Sequence, residues 1–239
     1  MRILLLIITL LFIPVASHAD IVIASGAGYR SLVDQLIETY TADTGNKVER
    51  IYGNMARVTA LAKNSGSVDL VLGDKSFLEK TALDTAATQK VGRGRLVLAF
   101  AKGKNFTSPE DLLAPEISRI SLPDTKRAIY GKAAMQYLNN KKLLSAVEPK
   151  LLMVATVPQS ASYVITGESD YAFINLTHAR KIQKSIGGFT ILDESAYTPI
   201  SIIIEQMSSS NHADECQKFM KFIQSPKARE IVTTHGMQD

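Results

Sequence analysis

The residues best suited to chemistry lie in four short segments, each between a strand pattern and a helix pattern. These are residues 26–29, 53–56, 126–128 and 157–158. The first backbone N–H groups of a helix have no partner within the helix, and the helix dipole favours negative charge there. If the four segments face one cleft, their N–H groups can bind an anion without a formal positive charge. Because every α/β protein has such junctions, they could equally be simple connections.

Residue types that are common in catalysis form no recognisable pattern beyond the first nineteen residues. His178, His212 and His235 are far apart and give no metal-binding spacing. The sequence has no nucleophile elbow, nucleotide phosphate loop or dinucleotide motif. Cys216 stands at helical spacing with Phe219, which predicts a buried thiol rather than a nucleophile. We therefore expect no enzyme activity, no metal and no cofactor.

Strand and helix patterns alternate along the chain, which predicts an α/β protein with largely parallel sheets. Residues 94–103, GRLVLAFAKG, form a long strand pattern suited to crossing between two lobes. Residues 198–206 predict a return strand, which two helices follow. We expect residues 20–95 with 196–239 to form one lobe and residues 96–195 the other. The cleft between the lobes is the expected ligand site, because helix N-termini open onto it.

The first nineteen residues have the features of a secretory signal peptide. Arg2 precedes an apolar run at residues 3–13, and Ser17, His18 and Ala19 end in a cleavage pattern with small residues. The apolar run is shorter than the roughly 20 residues that span a bilayer. We therefore predict cleavage after Ala19 and a periplasmic protein.

The net charge of +4 is spread along the chain. The basic residues form no stripe and no motif in which they alternate with aromatic residues, so nucleic acid is not an expected partner. We expect a monomer whose charge gives solubility and a mild preference for anions.

Four longer stretches resemble the periplasmic molybdate-binding proteins of ABC importers. They are IASGAGYRSLVDQLIETYTADTG near the start, YGNMARVTALAKNSGSVDLVLGD, AIYGKAAMQYL in the middle, and KFMKFIQSPKAREIVTTHGM at the end, which is the most specific. The resemblance covers nearly the whole mature chain. It implies a two-lobed type II periplasmic binding fold that holds a tetrahedral oxyanion between its lobes by neutral hydrogen bonds. It also implies a membrane permease as the partner.

The side-chain donors of that family are poorly matched in this chain. The family's first serine falls on Ala27, and its second falls on Met55, or on Asn54 if the alignment slips by one residue. Its tyrosine falls on Asn175, whereas its valine, which offers a backbone N–H, matches Val157. Each lost charge-assisted hydrogen bond costs about 1.5–3 kcal/mol. The missing hydroxyls would therefore weaken molybdate binding by roughly two to four decades.

Basic residues near the junctions could compensate for the lost hydroxyls. The family's middle-lobe alanine, a backbone donor, falls on Arg127, and the proline before it falls on Lys126. Arg57 and Arg30 follow the other junctions, and arginine suits bidentate contact with carboxylate, sulfate or phosphate. These side chains could instead point to solvent.

Two functions remain open on this sequence. The first is capture of a small anion, molybdate-like or bulkier, for an ABC importer. The second is a binding-protein scaffold that has lost its solute site and serves as a periplasmic interaction or sensor module. The residues expected to bind the ligand are Gly26, Ala27, Gly28, Asn54, Met55, Arg57, Arg127, Val157 and Asn175.

Overall fold

The computed structural model describes residues 21–238, which form two five-stranded sheets with helices packed on them. The first sheet has the strand order β2-β1-β3-β10-β4. Its strands are β1 (Ile21–Gly26), β2 (Val48–Gly53), β3 (Leu70–Asp74), β4 (Thr85–Gly94) and β10 (Ile200–Met207).

The second sheet has the strand order β7-β6-β8-β5-β9. Its strands are β5 (Leu96–Phe100), β6 (Ile120–Pro123), β7 (Leu151–Val154), β8 (Tyr171–Asn175) and β9 (Gly188–Ile191). The chain passes between the sheets at Arg95 and again through residues 192–199. The expected lobe limits, 95/96 and 195/196, stay a prediction.

Helices connect the strands within each lobe. In the first lobe they are α1 (Arg30–Thr44), α2 (Met55–Ser65), α3 (Lys75–Thr81), α8 (Ala213–Ile223) and α9 (Pro226–Thr234), and a 3₁₀ turn (Ala27–Tyr29) precedes α1. In the second lobe they are α4 (Ile129–Asn140), α5 (Leu144–Val147), α6 (Val157–Thr166) and α7 (Leu176–Ile182). Further 3₁₀ turns occur at Pro109–Leu113, Glu148–Lys150 and Glu194–Ala196.

Five helices of this chain begin directly after a residue whose side chain caps the helix N-terminus. A side-chain oxygen of the residue before the helix accepts a hydrogen bond from a first-turn backbone N–H at α2, α3, α6, α7 and α9. The capping residues are Asn54, Asp74, Thr156, Asn175 and Ser225. Three of these caps, at 54, 156 and 175, place a helix N-terminus at the boundary between the lobes.

The two sheets are mixed, which corrects the expectation of largely parallel sheets. β1 pairs with β2 and β3 in parallel, and β6 pairs with β7 and β8 in parallel. The return strand β10 is antiparallel to β3 and β4, and β5 is antiparallel to β8 and β9. The antiparallel pairs arise because β5 and β10 are the strands by which the chain changes lobe.

Strand β4 was missed by the sequence interpretation, and the strand pattern at residues 94–103 is shorter than expected. Residues 85–90 of β4 alternate between half-buried and exposed, and their Thr, Ala, Gln and Lys side chains carry little apolar signal. The crossing strand β5 ends at Phe100. Residues 94–103 therefore contain the last residue of β4, the connection at Arg95 and all of β5, and not one long strand.

The hydrophobic core is continuous between the lobes. One cluster of buried side chains includes Leu32 and Leu36 of α1, Leu96 of β5, and Phe173 of β8. At the crossing, the Tyr197 hydroxyl accepts a hydrogen bond from the Leu96 N–H at 3.1 Å. The lobes are thus packed against each other in a closed arrangement. The expected signal peptide lies outside the described residues, and within residues 21–238 no helix is long and apolar enough to cross a membrane.

Candidate functional site

A small cavity lies where the two lobes meet. The first lobe contributes residues 26–29 and 53–55, and the second contributes residues 128–130 with Thr156 and Val157. Its volume is about 30 Å³. A single water needs roughly 10–15 Å³ of such space, so the cavity accommodates only a compact group in this closed arrangement. The four predicted junctions therefore converge on one interlobe cavity.

The first junction offers backbone donors because β1 turns directly into a 3₁₀ turn. No described residue accepts a hydrogen bond from the N–H of Ala27 or Gly28. Gly28 also permits close approach of the lobes, since a β-carbon there would lie 3.1 Å from Asn175 Nδ2 and 3.2 Å from Val157 Cβ. A side chain at this point would press on the second lobe, so glycine favours close contact between that lobe and the turn.

The second junction is organised by Asn54, the N-cap of α2. Its Oδ1 accepts a hydrogen bond from the Arg57 N–H at 2.9 Å, and the N–H of Met55 has no acceptor among the described residues. The Met55 side chain is buried against Gly73 and Gly26. Met55 therefore fills space with its side chain and offers its backbone N–H to the cavity.

The third junction differs from the sequence prediction. The Asp124 carboxylate accepts hydrogen bonds from the N–H groups of Lys126 and Arg127 at 2.8 and 2.9 Å. The backbone donor expected at Arg127 is therefore already engaged. The free donors lie two residues later, because the N–H groups of Ile129 and Tyr130, at the start of α4, have no acceptor within residues 21–238.

The fourth junction contributes Val157, the first residue of α6. Thr156 caps this helix through a hydrogen bond from the Gln159 N–H at 3.3 Å. The Val157 N–H has no acceptor in the described part of the chain, and Pro158, the next residue, has no N–H. Val157 therefore has an N–H at this helix start that is available to a ligand, and its role as a donor stays a prediction.

Asn175 joins the lobes and does not form part of the cavity wall. Its Oδ1 caps α7 by accepting a hydrogen bond from the His178 N–H, and its Nδ2 donates to the Gly28 carbonyl at 3.1 Å. Asn175 is completely buried. With both polar atoms of its amide engaged, it positions the first junction against the second lobe.

A pair of tyrosines closes the interlobe boundary beside the cavity, and the sequence did not predict this pair. The hydroxyl groups of Tyr29 and Tyr130 are 2.7 Å apart, and both residues line the cavity. Burial raises the pKa of both hydroxyls, so both remain protonated donors. Gly94 leaves room for them, since a β-carbon there would overlap the Tyr130 hydroxyl. In the sequence, Tyr130 looks only like a core position of α4.

No lysine, arginine, aspartate or glutamate occurs among the described residues that line the cavity. Arg57 and Arg127 are exposed and lie outside the wall, although the stem of Arg57 packs beside Gly53. Arg30 stacks on the Tyr52 ring, 4.3 Å from its centroid. The compensation expected from these arginines is therefore not seen in the cavity wall.

One carboxyl group outside the cavity wall acts electrostatically on the two tyrosines. Asp74 is buried, and its negative charge contributes to the raised pKa of both Tyr29 and Tyr130. Burial raises the pKa of Asp74 itself, while hydrogen bonds from Ser76 and Phe77 oppose the rise. The electrostatic environment of the cavity therefore depends on whether Asp74 is protonated.

Six of the nine predicted site residues lie together in the cavity wall, and three do not. The six are Gly26, Ala27, Gly28, Asn54, Met55 and Val157. Arg57 and Arg127 are solvent-exposed neighbours of the site, and Asn175 is the bridge behind it. The structure adds six further residues to the wall: Tyr29, Gly53, Ala128, Ile129, Tyr130 and Thr156.

Within residues 21–238, the cysteine, histidine and carboxylate side chains lie outside the cavity wall. No cluster of three or more His, Cys, Asp or Glu side chains there could hold a metal ion. Cys216 is buried, as its helical spacing predicts, and burial raises the pKa of its thiol to about 11. Such a thiol is a poor nucleophile at neutral pH.

Two lobes of mixed α/β structure, closed over a cavity of helix N-termini, define a solute-binding protein. The sequence pattern of the bacterial extracellular solute-binding proteins matches residues 21–238. The chain belongs to that family. The expected two-lobed α/β fold and the resemblance to molybdate-binding proteins are both confirmed by the comparisons below.

Relatives of known name are similar along almost the entire chain. A binding protein of Haemophilus influenzae is 27% identical over 225 residues, covering 91% of this chain and 90% of the relative. The molybdate-binding protein ModA of Azotobacter vinelandii is 25% identical over 230 residues, covering 92% and 90%. The solved structure of the periplasmic molybdate-binding protein of Azotobacter vinelandii superposes with a TM-score of 0.83 at 20% identity. This match covers 91% of this chain and 98% of that structure.

Proposed function

We propose that this protein captures a small anion in the interlobe cavity and delivers it to the membrane permease of an ABC importer. The observation that carries the proposal is the convergence of unpaired backbone N–H groups from both lobes on one enclosed space. Among residues 21–238 these N–H groups have no acceptor, and they belong to Ala27, Gly28, Met55, Ile129, Tyr130 and Val157. The similarity to molybdate-binding proteins supports an oxyanion as the ligand.

The polarity of the cavity favours an anion over a neutral or cationic solute. Unbonded N–H groups at helix N-termini carry partial positive charge, and an anion satisfies several of them at once. The lining residues offer no carboxylate to a cation. Because the rest of the wall is apolar, hydrogen bonds within it act in a medium of low dielectric constant and are strengthened.

Two tyrosine hydroxyls can replace part of the lost hydrogen bonding. The serine positions of the molybdate-binding proteins correspond to Ala27 and Met55, which have no hydroxyl group. Tyr29 and Tyr130 both line the cavity, and only one of their two hydroxyls is needed to donate within the pair. The remaining hydroxyl proton is available to an anion. The loss of one serine hydroxyl is then offset by one tyrosine hydroxyl.

Ligand binding is coupled to lobe closure in this proposal. Donors from the first lobe and donors from the second can bind one anion only when the lobes are closed. The hinge consists of the two connections at Arg95 and residues 192–199, which absorb the rotation. Export to the periplasm and action as a monomer complete the proposed role.

Isothermal titration calorimetry of the mature protein tests this function with molybdate, tungstate, sulfate, phosphate and acetate. We expect at least one of these anions to bind with one-to-one stoichiometry and to raise the thermal unfolding midpoint. A Gly28→Ala variant should bind it more weakly, because the added β-carbon meets Asn175 and Val157 and separates the lobes. Ala42→Ser, on the exposed end of α1, is the matched control.

Absence of any response to the whole panel would contradict anion capture. It would favour the scaffold that has lost its solute site and acts as an interaction or sensor module. Equal binding by Gly28→Ala and the wild-type protein would place the anion outside the interlobe cavity.

A further inference from the structure

A cationic side chain of the second lobe contacts the end of a helix in the first lobe. Arg180 lies in α7, and its Nη1 donates hydrogen bonds to the carbonyls of Thr233 and Thr234 at 3.2 and 2.5 Å. These are the last two residues of α9. The carbonyl end of a helix carries partial negative charge and attracts a guanidinium. The contact therefore joins the two lobes at a point outside the ligand cavity.

Arg180 supplies a donor where the end of α9 needs one. The backbone N–H groups of residues 236–238, which follow the helix, donate to carbonyls other than that of Thr234. The Thr234 carbonyl instead accepts from the Arg180 guanidinium. The charge of Arg180 also affects the first lobe, since burial and then Arg180 lower the pKa of His235, the residue after α9.

This contact lies about one helical turn from the point where the chain changes lobe. Leu176, the first residue of α7, donates its N–H to the carbonyl of Arg95, which connects β4 with β5. The chain after α9 passes the same point, because a β-carbon on Gly236 would lie 2.7 Å from Leu176 Cγ. Leu176 is therefore close to the pivot of the lobes, whereas Arg180 lies about 6 Å further along the helix.

The distance from the pivot makes the Arg180 contact sensitive to lobe rotation. Rotation about the connection at Arg95 displaces Arg180 more than it displaces Leu176. A hydrogen bond to a carbonyl oxygen spans about 2.7–3.2 Å between its heavy atoms. A small opening rotation therefore separates the guanidinium from the carbonyls of α9, so these hydrogen bonds belong to the closed arrangement.

We infer that Arg180 is a positioning residue for anion capture, because it stabilises the closed lobes from outside the cavity. This inference rests on the proposed function and adds to it a residue that does not touch the ligand. Arg180 is absent from the cavity wall. It acts on a bound anion through the equilibrium between open and closed lobes. Loss of its hydrogen bonds favours the open state and weakens binding.

The test combines calorimetry with small-angle X-ray scattering on Arg180→Gln. We expect molybdate and sulfate to bind about two- to fivefold more weakly, because Arg180 is exposed and a cation at a helix C-terminus contributes modestly in water. The unliganded variant should have a larger radius of gyration than the wild-type protein. Arg180→Lys keeps the charge and a donor, and it should bind within about twofold of the wild-type protein.

The matched control is Arg119→Gln. Arg119 Nη1 donates to the Glu168 carbonyl at 3.4 Å, and both residues belong to the second lobe. The substitution removes one positive charge and one arginine–carbonyl hydrogen bond without affecting a contact between lobes. Equal effects of Arg119→Gln and Arg180→Gln on binding and on the radius of gyration would show that overall charge is responsible, and the inference would be wrong. Thermal midpoints verify that each variant folds.

The inference and the proposed function fail in different ways. If Arg180→Gln keeps the affinity and the radius of gyration of the wild-type protein, Arg180 does not hold the lobes closed and anion capture stands. If no anion binds to the wild-type protein, the proposed function fails. Scattering from the unliganded proteins then still decides whether Arg180 stabilises the closed lobes.

Discussion

The hydroxyl oxygens of Tyr29 and Tyr130 lie 2.7 Å apart across the boundary between the two lobes. Tyr29 belongs to the turn after the first strand. Tyr130 lies 101 positions later in the sequence and is the second residue of α4. The contact exists only when the lobes are closed, so it links the closed state to the wall of the ligand cavity.

Removing one hydroxyl from this pair should weaken the closed state. Tyr130→Phe deletes the acceptor and leaves the Tyr29 hydroxyl buried without its partner, which costs about 1–3 kcal/mol. We expect a lower thermal midpoint and anion binding that is about five- to tenfold weaker. Tyr137→Phe is the matched control, since Tyr137 is buried on the same helix and its hydroxyl bonds to no described residue. Equal effects of the two substitutions would show that the pair has no special role.

Restoring the serine of the molybdate-binding proteins should raise oxyanion affinity. Ala27 lies in the cavity wall, where a serine hydroxyl would add one charge-assisted hydrogen bond to an anion. We expect Ala27→Ser to tighten molybdate or sulfate binding about tenfold, measured by calorimetry. Ala42→Ser, at the far end of α1, should have no effect. Unchanged affinity in Ala27→Ser would mean that the anion does not reach the first junction.

Asp74 should make anion binding depend on pH. Burial raises its pKa above the ordinary 3.8, and a bound anion would raise it further. Binding is then coupled to proton uptake, so affinity is highest below the pKa of the unliganded state and falls as pH rises through it. Sulfate, which stays a dianion in this range, is a suitable probe.

Asp74→Asn should remove this pH dependence and tighten sulfate binding at neutral pH. Asparagine keeps the oxygen that caps α3, so the helix start is preserved. Asp43→Asn, on the surface beside Lys227, should retain the pH dependence of the wild-type protein. A sulfate affinity that is flat with pH in the wild-type protein would show that Asp74 does not act on the cavity.

His178 should reduce stability in mild acid. Burial lowers its pKa from 6.5 to about 4, so the folded state keeps the imidazole neutral. Between these two values the unfolded state binds the proton and the folded state does not, and stability therefore falls as pH decreases. The loss reaches about 3 kcal/mol near pH 4. Urea unfolding of His178→Gln should show a smaller drop between pH 7 and pH 4, and an unchanged drop would contradict this assignment.

Much of the fold follows from patterns that are local in the sequence. The spacing of Leu32, Val33, Leu36 and Ile37 predicts the buried face of α1, and all four are buried. The caps at Asp74 and Ser225 are also visible in the sequence. Strand β4 was missed because its exposed, alternating half packs beside β10, a partner more than 100 residues away. Such pairing leaves little trace in a local pattern.

Residues of the cavity wall could be predicted where the start of a helix alone determines which backbone N–H group is left without an acceptor. Gly26–Gly28, Met55 and Val157 lie at strand-to-helix junctions, and each lies in the wall. Arg127 was assigned a donor role that Asp124 prevents by accepting its N–H. The Tyr29–Tyr130 contact depends on how the two lobes meet, so it is not a property of any one segment.

The central claim is that backbone N–H groups from both lobes bind one anion. Two-dimensional NMR of ¹⁵N-labelled protein, titrated with the anion that binds most tightly, tests it directly. We predict large, saturable shifts of the amide resonances of Ala27, Gly28, Met55, Ile129 and Val157 together, with Gly66 and Gly167, at distant helix ends, unmoved. Shifts confined to one lobe, or to exposed basic residues such as Arg57 and Arg127, would contradict the claim.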